Sequence, residues 1–132
     1  MAVEVEIRWP DIDEYGHVSH IALVAIAEHG RSRWLDATLG IEPETWPYVV
    51  AHLELDFRAP AVFVDRWLHC DFTAQRVGTT SVTLRERYTR PNGDLVMEAE
   101  SVIVAWDKGS SASRPLSPEE ADRLTAAATD PR

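Results

Sequence analysis

The chain has 132 residues, and its 45% hydrophobic and 27% charged residues are typical of one globular domain that can bury a core. Thirteen basic residues against 22 acidic ones give a formal net charge of −9, which excludes nonspecific nucleic-acid binding because phosphate contacts require clustered lysine and arginine. The one cysteine, Cys70, excludes an intramolecular disulfide and a thiolate-rich metal cluster.

The first residues do not resemble a secretory signal, since glutamates stand where a basic segment and then an apolar one would be needed. No apolar run approaches the roughly 20 residues that cross a bilayer. We therefore expect a cytoplasmic protein that binds neither membranes nor nucleic acid.

An alternating pattern predicts a first half-buried strand that ends at Pro10. Its apolar face would consist of Val3, Val5, Ile7 and Trp9. Helical spacing follows from Ser19 to Leu39, with Ser19 predicted as the N-cap and Gly40 as the residue after the last turn. The first half of this helix is apolar on every side, which favours a helix wrapped by a sheet. Gly30 within it predicts a close backbone contact.

Four more strands are predicted after the loop at residues 42–47, and a turn at residues 90–94 joins the last two as an antiparallel hairpin. Their core-facing residues would be Val49, Ala51, Leu53, Leu55 and Phe57; Leu68, Cys70, Phe72 and Ala74; Val82, Leu84 and Tyr88; and much of residues 95–106. Residues 109–113 are predicted as a flexible segment, and Ser117 with Glu120 as the capping box of a short helix to about Ala128. The plan is α+β: one domain over 1–132, a five-stranded antiparallel sheet curled around one long central helix.

The segment at residues 11–20 gathers carboxylates and imidazoles where the long helix begins. Backbone N–H groups of a first helical turn lack intrahelical partners and can stabilise a developing oxyanion. A carboxylate beside them can act as a nucleophile or a general base. The pattern favours an acyl-transfer site with a thioester substrate.

Several of these residues have a second interpretation. Asp13 also fits a turn-forming or helix-capping aspartate, and residues 11–20 also hold the ligand types of a mononuclear metal site, from Asp11, Asp13, His17 and His20. Glu28 on the helix fits either a catalytic carboxylate or a contact between subunits. Cys70 fits a small buried hydrophobe and not a nucleophile, and Trp46 fits either a cover over an acyl chain or a filler of a surface groove.

Nearly the whole chain resembles the hot-dog-fold acyl-CoA thioesterases of the 4-hydroxybenzoyl-CoA thioesterase type. The segments that carry the resemblance are RWPDID (8–13), GHV (16–18), DFRAP (56–60), RVGTTSV (76–82) and NGDLV (92–96). The resemblance implies that Asp13 is the catalytic carboxylate. In the branch of Tol-Pal-associated thioesterases, a histidine seven positions later accompanies this aspartate, and the chain resembles that branch in having His20 there. Ser19 and His20 replace two asparagines that are common in relatives.

The resemblance also implies where the substrate binds. Residues of the first loop would surround the thioester, namely Tyr15, Gly16, His17, Val18 and Ser19, and the coenzyme A end would contact Arg58, Thr79, Thr80 and Arg114. Coenzyme A enters only as part of the substrate, with no separate cofactor and no metal. A single curled sheet leaves an unpaired edge, which predicts at least a dimer. The resemblance implies a homodimer or homotetramer with active sites between subunits. The alternatives are a hot-dog 3-hydroxyacyl-thioester dehydratase and a noncatalytic acyl-ligand binding or scaffold protein.

Overall fold

The computed structural model describes residues 2–40 and 47–127. The elements are β1 (Ala2–Glu6), α1 (His20–Leu39), β2 (Tyr48–Phe57), β3 (Trp67–Val77), β4 (Ser81–Thr89), β5 (Leu95–Asp107), β6 (Ala112–Ser113) and α2 (Pro118–Ala126). Short 3-10 turns cover Trp9–Asp11 and Phe63–Asp65. The predicted loop at 42–47, apart from its last residue, lies outside the described residues, and so do Trp46 and Ala128. No helix in the described part of the chain is long and apolar enough to span a membrane.

The strands form one antiparallel sheet in the order β1-β3-β4-β5-β2, and the two-residue β6 pairs with the end of β5. β1 and β2 are therefore the edges, and β5 lies inside the sheet, as its apolar character predicts. Helix α1 packs on the inner face, where alternate residues of β3, β4 and β5 are buried. The α+β plan of a curled sheet, a long helix and a short terminal helix is confirmed.

Helix α1 begins and ends at the residues that the sequence predicts. The Ser19 hydroxyl accepts the N–H of Ala22 at 3.1 Å, and Gly40 adopts a φ of +67° at the other end. A Cβ added at Gly30 would lie 3.3 Å from side-chain atoms of Cys70 and Phe72, so the helix backbone approaches β3 closely there. The prediction that the first half is buried on every side is wrong for the single chain, because Ile21 and Ala25 are exposed on the far face.

Two strand predictions need correction. β1 ends at Glu6, because Pro10 cannot donate to a ladder and the Asp11 carboxylate accepts the N–H of Arg8 at 2.8 Å, which turns the chain. Trp9, predicted to face the core, is 71% exposed and contacts the Phe63 ring edge to face at 5.5 Å.

The second correction concerns β2. A register shift between Val50 and His52 makes Ala51 the extra residue of a bulge. Val50 therefore pairs with the inward residue Ile103, and Val49 pairs with Val104 on the outer face, so Val49 does not share a face with Leu53 as predicted. One inserted residue reverses the alternation of every residue before it.

The segment at 109–113 is more constrained than its composition predicts. Its last two residues form β6 against Trp106 and Asp107 at the end of β5. The N–H of Gly109 donates to the Asp107 carboxylate at 2.9 Å. The capping box of α2 is confirmed, because the Ser117 hydroxyl accepts the N–H of Glu120 at 3.1 Å and the Glu120 carboxylate accepts the N–H of Ser117 at 2.8 Å.

A charged cluster lies inside the core, and the sequence pattern did not reveal it. Arg31 of α1 donates two hydrogen bonds to the Glu86 carboxylate of β4, at 2.7 and 3.0 Å, and both residues are 1% exposed. The Tyr88 hydroxyl also donates to Glu86, and the Ser101 hydroxyl does so at 2.5 Å. Burial acts to lower the pKa of Arg31, but the hydrogen bond and charge of Glu86 outweigh burial and raise that pKa. Arg31 therefore keeps its charge, and the Glu86 carboxylate accepts four hydrogen bonds.

We expect Arg31→Met to lower the free energy of unfolding by about 3–5 kcal/mol, because it leaves the Glu86 carboxylate buried without a cation. Adding Glu86→Gln to this variant would recover part of the loss, since a neutral amide can still accept from Tyr88 and Ser101. Urea unfolding at a fixed protein concentration measures both. Arg33→Met is the control, because Arg33 is an exposed arginine of the same helix. A similar loss in Arg31→Met and Arg33→Met would contradict the prediction.

Candidate functional site

Asp13 organises the loop before α1 through its own side chain. Its Oδ1 accepts the N–H of Tyr15 at 2.9 Å and the N–H of His17 at 3.2 Å. The backbone closes the same turn, with Asp13 N–H on the His17 carbonyl at 2.8 Å and a φ of +78° at Gly16. Asp13 Oδ2 has no hydrogen-bond partner among the described residues. Oδ1 of this half-buried residue thus holds the loop in place, and Oδ2 remains available to a ligand.

The loop is held against the body of the protein on both sides of Asp13. Ile12 and Val18 form an isolated antiparallel bridge, and the N–H of Val18 donates to the Ala61 carbonyl at 2.8 Å. The Asp11 carbonyl accepts the N–H of Ser19 at 2.9 Å, while its buried carboxylate caps Arg8. Both the carbonyl and the carboxylate of Asp11 are therefore used in hydrogen bonds that hold the loop in place.

The N-terminus of α1 leaves two backbone donors open. The N–H of Ala22 and the N–H of Leu23 are taken by the side chain and carbonyl of Ser19. The N–H of Ser19 is used within the loop, whereas those of His20 and Ile21 have no hydrogen-bond partner in the described part of the chain. The open donors lie at the positive end of the helix dipole. An oxyanion bound here would meet the donors of His20 and Ile21, and not that of Ser19.

Aromatic side chains border this helix terminus. The His20 ring meets the Phe57 ring edge to face at 6.4 Å, at the end of β2. Tyr15, His17 and His20 are exposed, and Phe57 is 49% exposed, so the loop and the end of β2 form an open surface in the single chain. Phe57 was predicted only as a core residue, and its place beside His20 could not be predicted from the sequence.

The residues predicted for the coenzyme A end do not gather at this loop. Phe57 pairs with Met97 at one end of β5, whereas Ser81, which follows Thr80, pairs with Val104 near the other end. Seven residues of an antiparallel strand span about 24 Å. Thr79 and Thr80 therefore lie at the opposite end of the sheet from His20 within one chain.

Arg114 shares this opposite end, since the N–H of Leu116 donates to the Thr79 carbonyl at 2.9 Å. Its guanidinium donates to both oxygens of Glu120, at 3.0 and 2.9 Å, which raises the pKa of Arg114 although burial opposes the rise. Arg58 lies next to Phe57 and donates to the Glu98 carboxylate at 3.1 Å. Both arginines are thus paired with carboxylates, and Arg58 alone lies on the same side as the loop.

The other candidate residues fall into separate places. In the described part of the chain the one group of three His, Cys, Asp or Glu side chains with converging ligand atoms is on the sheet, and Asp11, Asp13, His17 and His20 do not form such a group. Glu28 has a 68% exposed side chain, 3.9 Å from Arg31, and lines a cleft of about 540 Å³ between α1 and β2.

This cleft also holds Tyr48, Ser32 and Lys108, which no pattern in the sequence groups with Glu28. The Tyr48 hydroxyl lies 2.9 Å from the Ser32 hydroxyl. Burial raises the pKa of Tyr48, with the Ser32 hydrogen bond acting against it. Glu28 thus faces a neutral phenol and a lysine, and the cleft opens on the β2 edge.

Comparison with known proteins identifies the family and the fold. The chain belongs to the thioesterase-like superfamily, whose family model matches residues 7–124. No curated protein matches significantly.

Among solved structures, the PA5185 protein from Pseudomonas aeruginosa is 22% identical with a TM-score of 0.86, over 96% of this chain and 90% of that one. A thioesterase from Thermus thermophilus, complexed with coenzyme A and zinc, is 22% identical with a TM-score of 0.83, over 99% of this chain and 96% of that one. Slr0204, a 1,4-dihydroxy-2-naphthoyl-CoA thioesterase from Synechocystis, is 15% identical with a TM-score of 0.80, over 94% of each chain. These likenesses confirm the hot-dog fold.

We expect Cys70 to be inert in the folded protein. It is fully buried, and burial together with the Glu86 charge raises the pKa of its thiol to about 12. At pH 8 the reactive thiolate is then present in only about one molecule in 10⁴. A thiol-reactive chromogenic disulfide would label the native protein negligibly and label it fully in denaturant. Rapid labelling of the native protein would contradict this prediction.

Proposed function

We propose that this chain hydrolyses an acyl-CoA thioester to a free acid and coenzyme A. The observation that carries the proposal is the pairing, within one rigid loop, of a half-buried carboxylate at Asp13 with two open N–H donors at the start of α1. Membership of the superfamily and the coenzyme A in the Thermus thermophilus relative support the substrate class. The same proposal includes the 4-hydroxybenzoyl-CoA thioesterase type. The assay described below identifies the acyl group.

Asp13 would supply the reacting oxygen. The two N–H donors from Tyr15 and His17 hold Oδ1 and fix the carboxylate plane, so Oδ2 is the atom left to react. Oδ2 would either attack the thioester carbon, releasing the thiolate and giving a mixed anhydride that water then hydrolyses to the free acid and the Asp13 carboxylate, or take a proton from the attacking water. In both routes the C–S bond breaks and the thiolate, of pKa about 8.5, leaves without a strong general acid.

The N–H groups of His20 and Ile21 would stabilise the oxygen that becomes negative. They are backbone donors on a capped helix, so they need no rearrangement when charge develops. The imidazole of His20, held beside Phe57, would orient water or protonate the leaving thiolate. Tyr15, His17 and Val18 would line the thioester, Val18 from its buried position and the other two from the exposed side of the loop.

A complete site would require two subunits. β2 is a ten-residue edge strand with mostly exposed residues, and its N–H and C=O groups are available for another strand. If two β2 edges pair antiparallel about a twofold axis, the Phe57 end of one chain lies beside the Tyr48 end of the other. That arrangement brings Thr79, Thr80 and Arg114 of the partner subunit toward the Asp13 loop. It would also cover the exposed Val50 and Phe57.

Two substitutions at Asp13 separate a catalytic role from a structural one. Asn retains a carbonyl oxygen for the N–H groups of Tyr15 and His17, whereas Ala does not. We expect Asp13→Asn to keep the folded oligomer and to lose thiol release from a panel of acyl-CoAs by about 10²-fold or more, because no carboxylate remains. Glu14→Gln, at the exposed neighbouring carboxylate, is the control and should keep wild-type rates.

Three outcomes of this assay would count against the proposal. Full activity in Asp13→Asn with loss only in Asp13→Ala would mean that Asp13 merely builds the loop. Interconversion of crotonyl and 3-hydroxyacyl thioesters without free thiol would indicate a dehydratase. Binding of acyl-CoAs that all remain intact would indicate a noncatalytic acyl-ligand protein.

Subunit mixing tests the shared site. Light scattering after size exclusion should give at least twice the 14.8 kDa chain mass. The Asp13→Asn and Arg114→Ala variants would each have low thioesterase activity alone. An equal mixture would regain roughly a quarter of wild-type activity, because half of the dimers are mixed and each mixed dimer holds one intact site out of two. A monomer, or a mixture no more active than its components, would contradict a site built from two chains.

A further inference from the structure

The outer face of the sheet, away from α1, carries regular rows of charged side chains. Residues paired across β3, β4, β5 and β2 point to the same face. One row consists of Asp71, Arg87, Glu98 and Asp56; the next consists of Thr73, Arg85, Glu100 and Glu54. In both rows two carboxylates stand directly opposite each other on β5 and β2, which is destabilising unless a cation is near.

The two acidic pairs differ in how they are neutralised. In the first row Glu98 accepts from Arg58 at 3.1 Å and from Arg87 at 3.3 Å, and Arg58 also lies 3.7 Å from Asp56. That pair of carboxylates has two arginines in contact. It shows what the sheet provides when side chains alone supply the positive charge.

The second pair has one arginine, at a longer distance, in place of two. The Arg85 guanidinium approaches Glu100 only to 4.0 Å. Instead, the His52 imidazole lies beside Glu54, with Nε2 and Oε2 at 3.7 Å, and ligand atoms of His52, Glu54 and Glu100 all lie within 4.8 Å of one another. An imidazole in place of a guanidinium turns two repelling carboxylates into a set of metal ligands.

The bulge at Ala51 lies directly before this imidazole. His52 pairs with Val102 on β5, next to the pairing of Glu54 with Glu100. The extra residue reverses the alternation only before it, so His52 and Glu54 remain on one face at a spacing of two. β2 therefore presents an H-x-E pair, and β5 contributes the third ligand from the neighbouring strand.

We propose that His52, Glu54 and Glu100 bind a divalent transition-metal ion, with Zn²⁺ as the reference ion, on the outer face of the sheet. One imidazole nitrogen and two carboxylate oxygens with an open fourth position match a three-ligand zinc set, whereas Mg²⁺ and Ca²⁺ prefer oxygen ligands alone. Tetrahedral bonds of about 2.0–2.1 Å place ligand atoms about 3.3–3.4 Å apart. The present separations require small rotations of side chains that are largely solvent-accessible.

The site is separate from the Asp13 loop and does not depend on the proposed hydrolase activity. Strand pairing at the β2 edge uses backbone groups, and the three ligand side chains stand on a face of the sheet and not along its edge. A metal held here bridges β5 to the edge strand, so it would stabilise the strand that lacks a second neighbour in the single chain.

The test is a titration of the chelator-treated full-length protein with ZnCl₂ by calorimetry and with CoCl₂ by visible absorption. We expect one Zn²⁺ per chain and a Co²⁺ spectrum of low-symmetry, four- or five-coordinate type. In His52→Ala and in Glu100→Gln the affinity for Zn²⁺ should fall by about tenfold or more. His69→Ala is the matched control, because His69 also lies beside a carboxylate, Glu4 at 3.0 Å, but belongs to no three-ligand group among the described residues. Its affinity should equal that of wild type.

Several results would overturn the proposal. The proposal fails if the wild-type protein does not bind Zn²⁺ stoichiometrically. It also fails if the affinity for Zn²⁺ is unchanged in both His52→Ala and Glu100→Gln, or if it falls equally in His69→Ala. Circular dichroism verifies that each variant is folded. Glu54→Gln replaces any variant that is not folded, and its failure to weaken binding counts against the site in the same way.

Discussion

The buried ion pair between Arg31 and Glu86 is the interaction on which the arrangement of this fold depends. A charge in a core must be paired, and here the guanidinium comes from the helix while the carboxylate, the Tyr88 hydroxyl and the Ser101 hydroxyl come from two strands. Apolar contacts tolerate sliding of a helix over a sheet, but a two-bond contact between Arg31 and Glu86 does not. It fixes α1 in rotation and in translation, and the close approach at Gly30 can exist only in that position.

The fixed helix in turn determines where the candidate site can be. Arg31 lies about three turns from the N-cap at Ser19, so locking the middle of α1 also locks its first turn. The loop before it is held by backbone hydrogen bonds at Val18 and Ser19, and one oxygen of Asp13 accepts hydrogen bonds within its own turn. The open donors of His20 and Ile21 and the free oxygen of Asp13 thus belong to one rigid unit. Such preorganisation is what stabilisation of a developing oxyanion requires.

The sequence predicted the parts of the structure that depend on local periodicity and local hydrogen bonds. The caps at Ser19, Gly40 and Ser117 and the strands β3, β4 and β5 appear where their patterns place them. The bulge at Ala51 was missed because one inserted residue leaves the composition of a strand unchanged. Glu86 was missed although it alternates with the core-facing Leu84 and Tyr88, because a carboxylate is ordinarily exposed and only the distant Arg31 supplies its partner in the core.

The candidate site also has a part that the sequence predicts and a part that it does not. Residues 13–20 are neighbours in sequence, so their grouping could be predicted, whereas three of the residues predicted for coenzyme A, namely Thr79, Thr80 and Arg114, lie toward the other end of the sheet in one chain. A chain of net charge −9 repels an anionic coenzyme A at long range. Arg58 and Arg114 are also already paired with carboxylates. Under the proposed function, attraction would therefore come at short range, from the open backbone donors at the start of α1 and from apolar contact with Phe57 beside His20.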